Sequence, residues 1–192
     1  MIVTSEAETA ELTAGPAPSP AEAQQQGTVV ELVMDSHSVV GVIPHRGAPR
    51  RLVDVLNTID GGFMVIHDGE LRDPFHPEEP PRAFAAAQVD RDAILFAVLR
   101  GGTDFAGSPL EAVAKAAIPA TLVLPGFDIT GNVFLVPGAD PITTPLLANR
   151  HFIPMTDATV AASHGRGLVW QEPLVIVNLT RALFYAPNTK KG

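Results

Sequence analysis

Three blocks of the sequence recur in the same order about 90 residues apart, and this recurrence limits the possible folds more than any other feature. Leu32 to Gly41 (LVMDSHSVVG) stands over Leu122 to Gly131 (LVLPGFDITG). Leu32, Val33 and Gly41 recur as Leu122, Val123 and Gly131, while Met34 and Val39 become Leu124 and Ile129. RRLVDVLNTIDGGFMVIHD lies over ITTPLLANRHFIPMTD with one residue of slippage, setting Leu56, Phe63, Ile66 and Asp68 over Leu146, Phe152, Met155 and Asp157. QVDRDAILFA over VNLTRALFYA sets Ala93 to Ala97 over Ala182 to Ala186. The chain reads as two copies, residues 28–99 and 119–187, of one duplicated unit.

The second copy resolves an ambiguity in the first. Alone, Ala83 to Leu99 has the apolar run of a helix, but its counterpart is rich in Val, Ile, Phe and Tyr around a polar turn, which favours two short strands. In copy one the strands are predicted at Val29–Met34, Val39–Pro44, Phe63–His67, Ala83–Val89 and Ala93–Leu99, with a helical turn at Arg51–Asn57. Copy two gives Ala120–Leu124, Ile129–Val136, Phe152–Thr156, Leu174–Asn178 and Ala182–Tyr185, with the turn at Thr144–Asn149. Five short, bent strands per copy suit a small barrel, SH3-like or Sm-like in outline. The expected fold is therefore mainly β: two tandem five-stranded barrels with one short connecting helix. That helix falls in the linker 100–118, capped by Ser108, opened by Pro109 and stopped at Pro119, with Leu110, Val113 and Ala117 facing the barrels. The copies differ in their insertions: an acidic Pro-rich loop at 68–82 and a Gly-containing one at 162–172.

Charge and composition exclude several functions. Charged residues are only 18% and mean hydropathy is +0.19, so much surface must be buried in a core or against partners. The absence of Cys rules out disulfides, Cys-ligated zinc, iron–sulfur clusters and a thiol nucleophile. A net charge of −8 argues against nucleic acid, whose phosphates need a basic surface. The longest apolar run, Ala116 to Phe127, is broken by Pro119 and Pro125 and is too short to span a bilayer. No Lys or Arg precedes Arg46, so a secretory start is not indicated and a cytoplasmic location is expected, with peripheral membrane association left open. Residues 1–27 form an acidic tail (Glu6, Glu8, Glu11, Glu22) carrying half the net charge, for which disorder is expected. Residues 188–192 form a polar C-terminus.

GVIPHRGAPRRLVDVLN followed by FMVIHDGEL resembles a group of bacterial small-barrel proteins with a Pro/Gly turn, an RL-x-D-x-LN helical turn and a strand ending in a polar residue plus Asp. Arg51, Leu52, Asp54, Leu56 and Asn57 carry that signature; copy two keeps Gly131, Leu146 and the FIPMTDA strand. The resemblance implies a small-barrel fold and assigns no activity.

Phosphate-loop, dinucleotide-binding, zinc-protease and nucleophile-elbow motifs are all missing from the sequence. His67, Asp68, Glu70, Asp73 and His76 crowd oxygen and imidazole ligands into ten residues, making His67, Asp68 and His76 the metal candidates. The surrounding prolines favour an extended, solvated segment instead. Arg46, Arg50 and Arg51 form the basic cluster, suited to helix flanking, to the acidic tail or to an anionic ligand. Trp170 is a core residue or an interface anchor, and Asp54 and Asn57 close the helical turn. His37, His45, His151 and His164 read as surface residues.

These residues lead us to expect a non-catalytic structural or assembly subunit, without cofactor, that scaffolds or tethers a larger complex and associates with itself. A bacterial redox or membrane-associated enzyme assembly is the expected host. The alternative is a small-molecule or metal-ion sensor with its site at the inter-barrel loops, 68–82 and 162–172. A third reading is an enzyme built on His67, Asp68 and His76.

Overall fold

Alternation of buried and exposed residues runs through the first strands. In GTVVELV, Val30 and Leu32 point inward and Val29 and Glu31 do not, the period of a strand with one covered face. A computed structural model describes residues 27–44, 51–58, 62–76, 78–101, 115–147, 151–163 and 167–188. Residues 1–26 of the expected tail, His45, Arg46, Arg50, His164 and the expected helix start at Ser108 lie outside these residues.

The elements in chain order are β1 (Gly27–Val33), β2 (Ser38–Pro44), α1 (Leu52–Thr58), β3 (Phe63–Arg72), β4 (Arg82–Asp90), a 3-10 turn η1 (Arg91–Ala93) and β5 (Phe96–Gly101). There follow β6 (Ala116–Leu124), β7 (Phe127–Leu135), α2 (Thr144–Leu147), β8 (Phe152–Ala162), β9 (Val169–Asn178), a second 3-10 turn η2 (Leu179–Arg181) and β10 (Phe184–Pro187). The same order of elements thus occurs twice. The ten strands of the described residues join one antiparallel sheet in the order β10-β6-β7-β8-β9-β5-β1-β2-β3-β4. The protein is mainly β, and among the described residues its two halves share this sheet through a β5·β9 ladder. Ala116 to Pro119, expected to end the connecting helix, are the first residues of β6, where they pair with β7.

Two bends recur at matching places. β2 shifts register between Val40 and Val42, and β7 between Thr130 and Asn132. The extra residue lies on the facing strands, β3 and β8, where Asp68 and Asp157 take left-handed backbone, φ 47° and 50°, which Asp tolerates better than most residues. The glycine opposite each bulge is demanded by close approach. A Cβ on Gly41 would lie 2.5 Å from Ile66 Cγ2, and one on Gly131 would lie 2.9 Å from the Thr156 carbonyl oxygen. Such bulges bend a strand and increase its twist.

The bulges also explain a difference from the sequence reading. The polar residues after His67 and Thr156 suggest loops, but β3 runs on to Arg72 and β8 to Ala162, because the bulge absorbs the Asp and the ladder resumes beyond it. The expected loops at 68–82 and 162–172 shrink accordingly, to about 73–81 and 163–168. Residues 83–99, by contrast, form β4, η1 and β5, as their counterpart implies. Asp90 and Asn178 cap the two 3-10 turns, each side chain accepting an N–H two residues on. This places Phe96 over Phe184, one residue away from the alignment drawn from sequence. Low identity in this block makes a one-residue slip invisible until the ladders are known.

Each half has its own apolar cluster, and each borrows from the other. Phe152 and Ile176 pack with Val30, Leu32, Leu56, Ile66 and Ile94 of the first half. Val33, Leu95, Phe96 and Val98 pack with Leu122, Phe127, Ile129 and Val175 of the second. Burying a side chain of this size contributes about 1.5–3 kcal/mol, so the exchange binds the halves firmly.

Candidate functional site

The seam between the halves holds two of the buried polar side chains, Glu172 and Asn178. Its ladder pairs Phe96 with Val177, Ala97 with Ile176 and Val98 with Val175. At one end Asn178, fully buried, donates its backbone N–H to the Leu95 carbonyl and its side-chain amide to the Ile94 carbonyl, both at 2.9 Å. Asn57, at the end of α1, donates to the carbonyls of Val53 and Phe152, while its Oδ1 accepts the Phe152 N–H at 3.0 Å. It closes the helical turn, as expected, and also ties that turn to the other half. Arg181 on η2 pairs with Asp35 in the β1–β2 turn at 2.9 Å.

The other end of the seam is ionic. Arg100 on β5 bridges Glu31 on β1 and Glu172 on β9, each at 2.7 Å. Burial works against the guanidinium charge, but the hydrogen bonds and charges of Glu31 and Glu172 outweigh it, so the Arg100 pKa is raised. Glu172 is itself buried, and a buried carboxylate persists only when it is paired in this way.

Beside this pair lies a cavity of about 540 Å³. Glu31, Arg72, Asp73, Glu79, Arg100 and Trp170 contribute to its lining, so the loop after β3 meets the start of β9 there. Phe75 in that loop stacks on Phe127 of the other half, with centroids 5.4 Å apart. Trp170 approaches Phe127 edge-on at 6.3 Å and packs against the second core, partly buried. Asp73 orders the loop: its carboxylate accepts the Phe75 N–H at 2.8 Å and meets His76 Nδ1 at 2.9 Å. The His76 hydrogen bond, then the Phe75 amide, lowers the Asp73 pKa, and the same bond to Asp73 raises that of His76. A second cavity, about 380 Å³, lies along Val53, Val133, Phe134 and Phe152, with Arg51 and Lys115 as its charged lining residues.

The metal candidates are not gathered. His67 sits in β3 opposite Ala86, Asp68 occupies the bulge, and His76 lies beyond the strand. Among the described residues there is no group of three or more His, Asp or Glu side chains placed to hold a metal. Of the basic cluster, Arg51 is described and pairs with Asp54 at 2.8 Å. No helix of the described residues is long and apolar enough to cross a membrane.

Sequence reasoning missed Arg100, Glu172 and the second role of Asn57. Nor did the sequence mark Asn178, whose burial against the Ile94 carbonyl explains why the position needs an amide. Comparison with family models, with curated proteins and with solved structures returned no match to this chain.

Proposed function

We propose that this chain is a non-catalytic structural subunit, formed by duplication of a five-stranded small-barrel unit, that scaffolds or tethers a larger protein assembly. The observation that carries the proposal is the pair of open sheet edges. Among the described residues β4 and β10 each have a neighbour on one side only, and exposed Phe63 and Val65 lie near one edge, Leu183 and Phe184 at the other. An edge strand offers unpaired N–H and C=O groups to another chain, and apolar side chains beside it add the buried area that association needs. The recurrence of bulge, left-handed Asp and capped 3-10 turn in both halves supports duplication.

The test is a native pull-down of the tagged protein from its own host, with the mass and composition of what co-elutes. Stoichiometric recovery of other proteins is the expected result. Recovery of a monomer with no companion overturns the reading.

The second reading, a small-molecule sensor, draws on the 540 Å³ cavity where the loop after β3 meets β9. Trp170 is the only Trp in the chain and lines that cavity. Its fluorescence and the melting temperature therefore report together on candidate metabolites and metals. A saturable response of both, lost in an Arg100→Met variant that remains folded, favours the sensor; silence of both disfavours it.

A further inference from the structure

We infer that copies of this chain associate head to tail, β10 of one copy adding to β4 of the next in the register of the internal β5·β9 seam. This deepens the scaffold reading and rests on it, by naming a second copy as the occupant of both open edges.

The argument is the match between the seam and the two ends. Val33 pairs with Phe96, and Val123 with Phe184. The Leu95 N–H reaches the Val33 carbonyl at 2.8 Å, and the Leu183 N–H reaches the Val123 carbonyl at 2.8 Å. β10 is thus the counterpart of β5, with Leu183 and Phe184 in the places of Leu95 and Phe96. On the other side, Phe63 lies opposite Asp90 and Phe152 lies opposite Asn178, so β4 is the counterpart of β9. The seam joins a β5 to a β9. What remains unjoined among the described residues is one strand of each kind, at opposite ends of the sheet.

Exposure follows the same correspondence. Leu95, Phe96 and Phe152 are fully buried at the seam, whereas Leu183, Phe184 and Phe63 are 71%, 54% and 59% exposed. Three large side chains are left in water where their counterparts complete a neighbour's core. Transferring the seam register sets Phe184 opposite Val89, Tyr185 opposite Gln88 and Ala186 opposite Ala87. These three pairs equal the length of the β5·β9 ladder, and β10 is long enough to make them.

The polar ties of the seam have no counterparts at the ends. Asp90 stands where Asn178 donates its amide, and a carboxylate cannot donate. Ala93 and Pro125 replace Arg181 and Asp35, and Asn188 and Phe84 replace Arg100 and Glu172. The contact between chains is therefore weaker than the seam and dependent on concentration. Because it joins unlike surfaces, it repeats, giving a ring where the rotation closes and a filament where it does not.

The test uses the full chain in sedimentation velocity over a range of concentrations. The expected result is a mass that rises with concentration, with Leu183→Glu and Phe63→Glu each weakening association about tenfold or more. Both positions are exposed, so the fold is retained. Mixing these two variants leaves one competent contact and yields a dimer and nothing larger. Asp90→Asn restores the missing amide donor and shifts association to lower concentration. The chain has no Cys, so an Ala186→Cys chain mixed with an Ala87→Cys chain is expected to form a disulfide faster than Thr143→Cys mixed with Ala87→Cys.

A mass that stays monomeric to the solubility limit, with no preferential disulfide, overturns the inference. So does a dimer abolished by one edge variant and untouched by the other, because that is a symmetric contact. A monomer that still recovers partners from its host ends the self-pairing and leaves the scaffold reading standing. A self-assembling chain that recovers no other protein does the reverse.

Discussion

Phe152 and Phe63 begin equivalent strands in the two halves, yet one completes the other half's core and the other faces solvent. The same contrast separates Leu95 from Leu183 and Phe96 from Phe184. What differs is the neighbour: at the seam the other half covers these side chains, and at the two edges of the sheet no described residue does so to the same degree. Residues at matching places therefore have different energetic roles: at the seam they stabilise the fold, and at the edges they remain exposed.

Substitutions that compare the two members of each pair test this contrast. The largest effect is expected for Phe152→Ala, about 3–5 kcal/mol of destabilisation from lost burial and a cavity in the first core. Phe63→Ala is expected to stay within about 0.5 kcal/mol in chemical denaturation, because an exposed ring leaves no cavity. Equal losses at both positions would dissolve the comparison.

Next come the polar ties. Asn178→Ala leaves the Ile94 carbonyl buried without a donor and is expected to cost about 1–3 kcal/mol. Asp90→Asn, at the matching place on the open edge, should change monomer stability little. Glu172→Ala in the seam leaves Arg100 its partner Glu31, so its cost should fall below that of Arg100→Ala, which strands the buried Glu172 carboxylate. Thermal melts of the two variants measure the order.

The glycines sharpen the comparison from the other direction, because here the halves should agree. Gly41→Ala and Gly131→Ala each push a methyl group into the facing strand, and each is expected to cost about 1–3 kcal/mol. Similar losses would support equivalent bends in both halves; a large loss in one alone would not.

The smallest effect concerns the loop that crosses the seam. Asp73 has a lowered pKa, so its contribution is present above the usual 3.8 and fades as pH falls through the lowered value. His76 has a raised pKa, so its contribution is full below 6.5 and fades as pH rises through the raised value. The pair is therefore tightest in mildly acidic solution. A His76 titration followed by NMR should show the raised midpoint, and Asp73→Asn should return it to the ordinary range.

Much of this architecture was legible in the sequence because it is written locally and written twice. Gly41 and Gly131, Asp68 and Asp157, and the polar turns before Phe96 and Phe184 mark bulges and turns that depend on a few neighbouring residues. Strand limits were less legible, since a bulge looks like the end of a strand when the residues after it are polar, as at Asp68 to Arg72. The seam was legible least. Arg100, Glu172, Asn57 and Asn178 are unremarkable in sequence, and their partners lie 69 to 95 residues away or across the joint.

By itself, then, the sequence determined the strand pattern, the recurring bends and the acidic balance, each a property of short segments with their own steric and hydrophobic preferences. Tertiary structure alone decided that the two units share one sheet and which of two equivalent phenylalanines is buried. Burial depends on what stands opposite a side chain, and that is set only when distant strands meet in register.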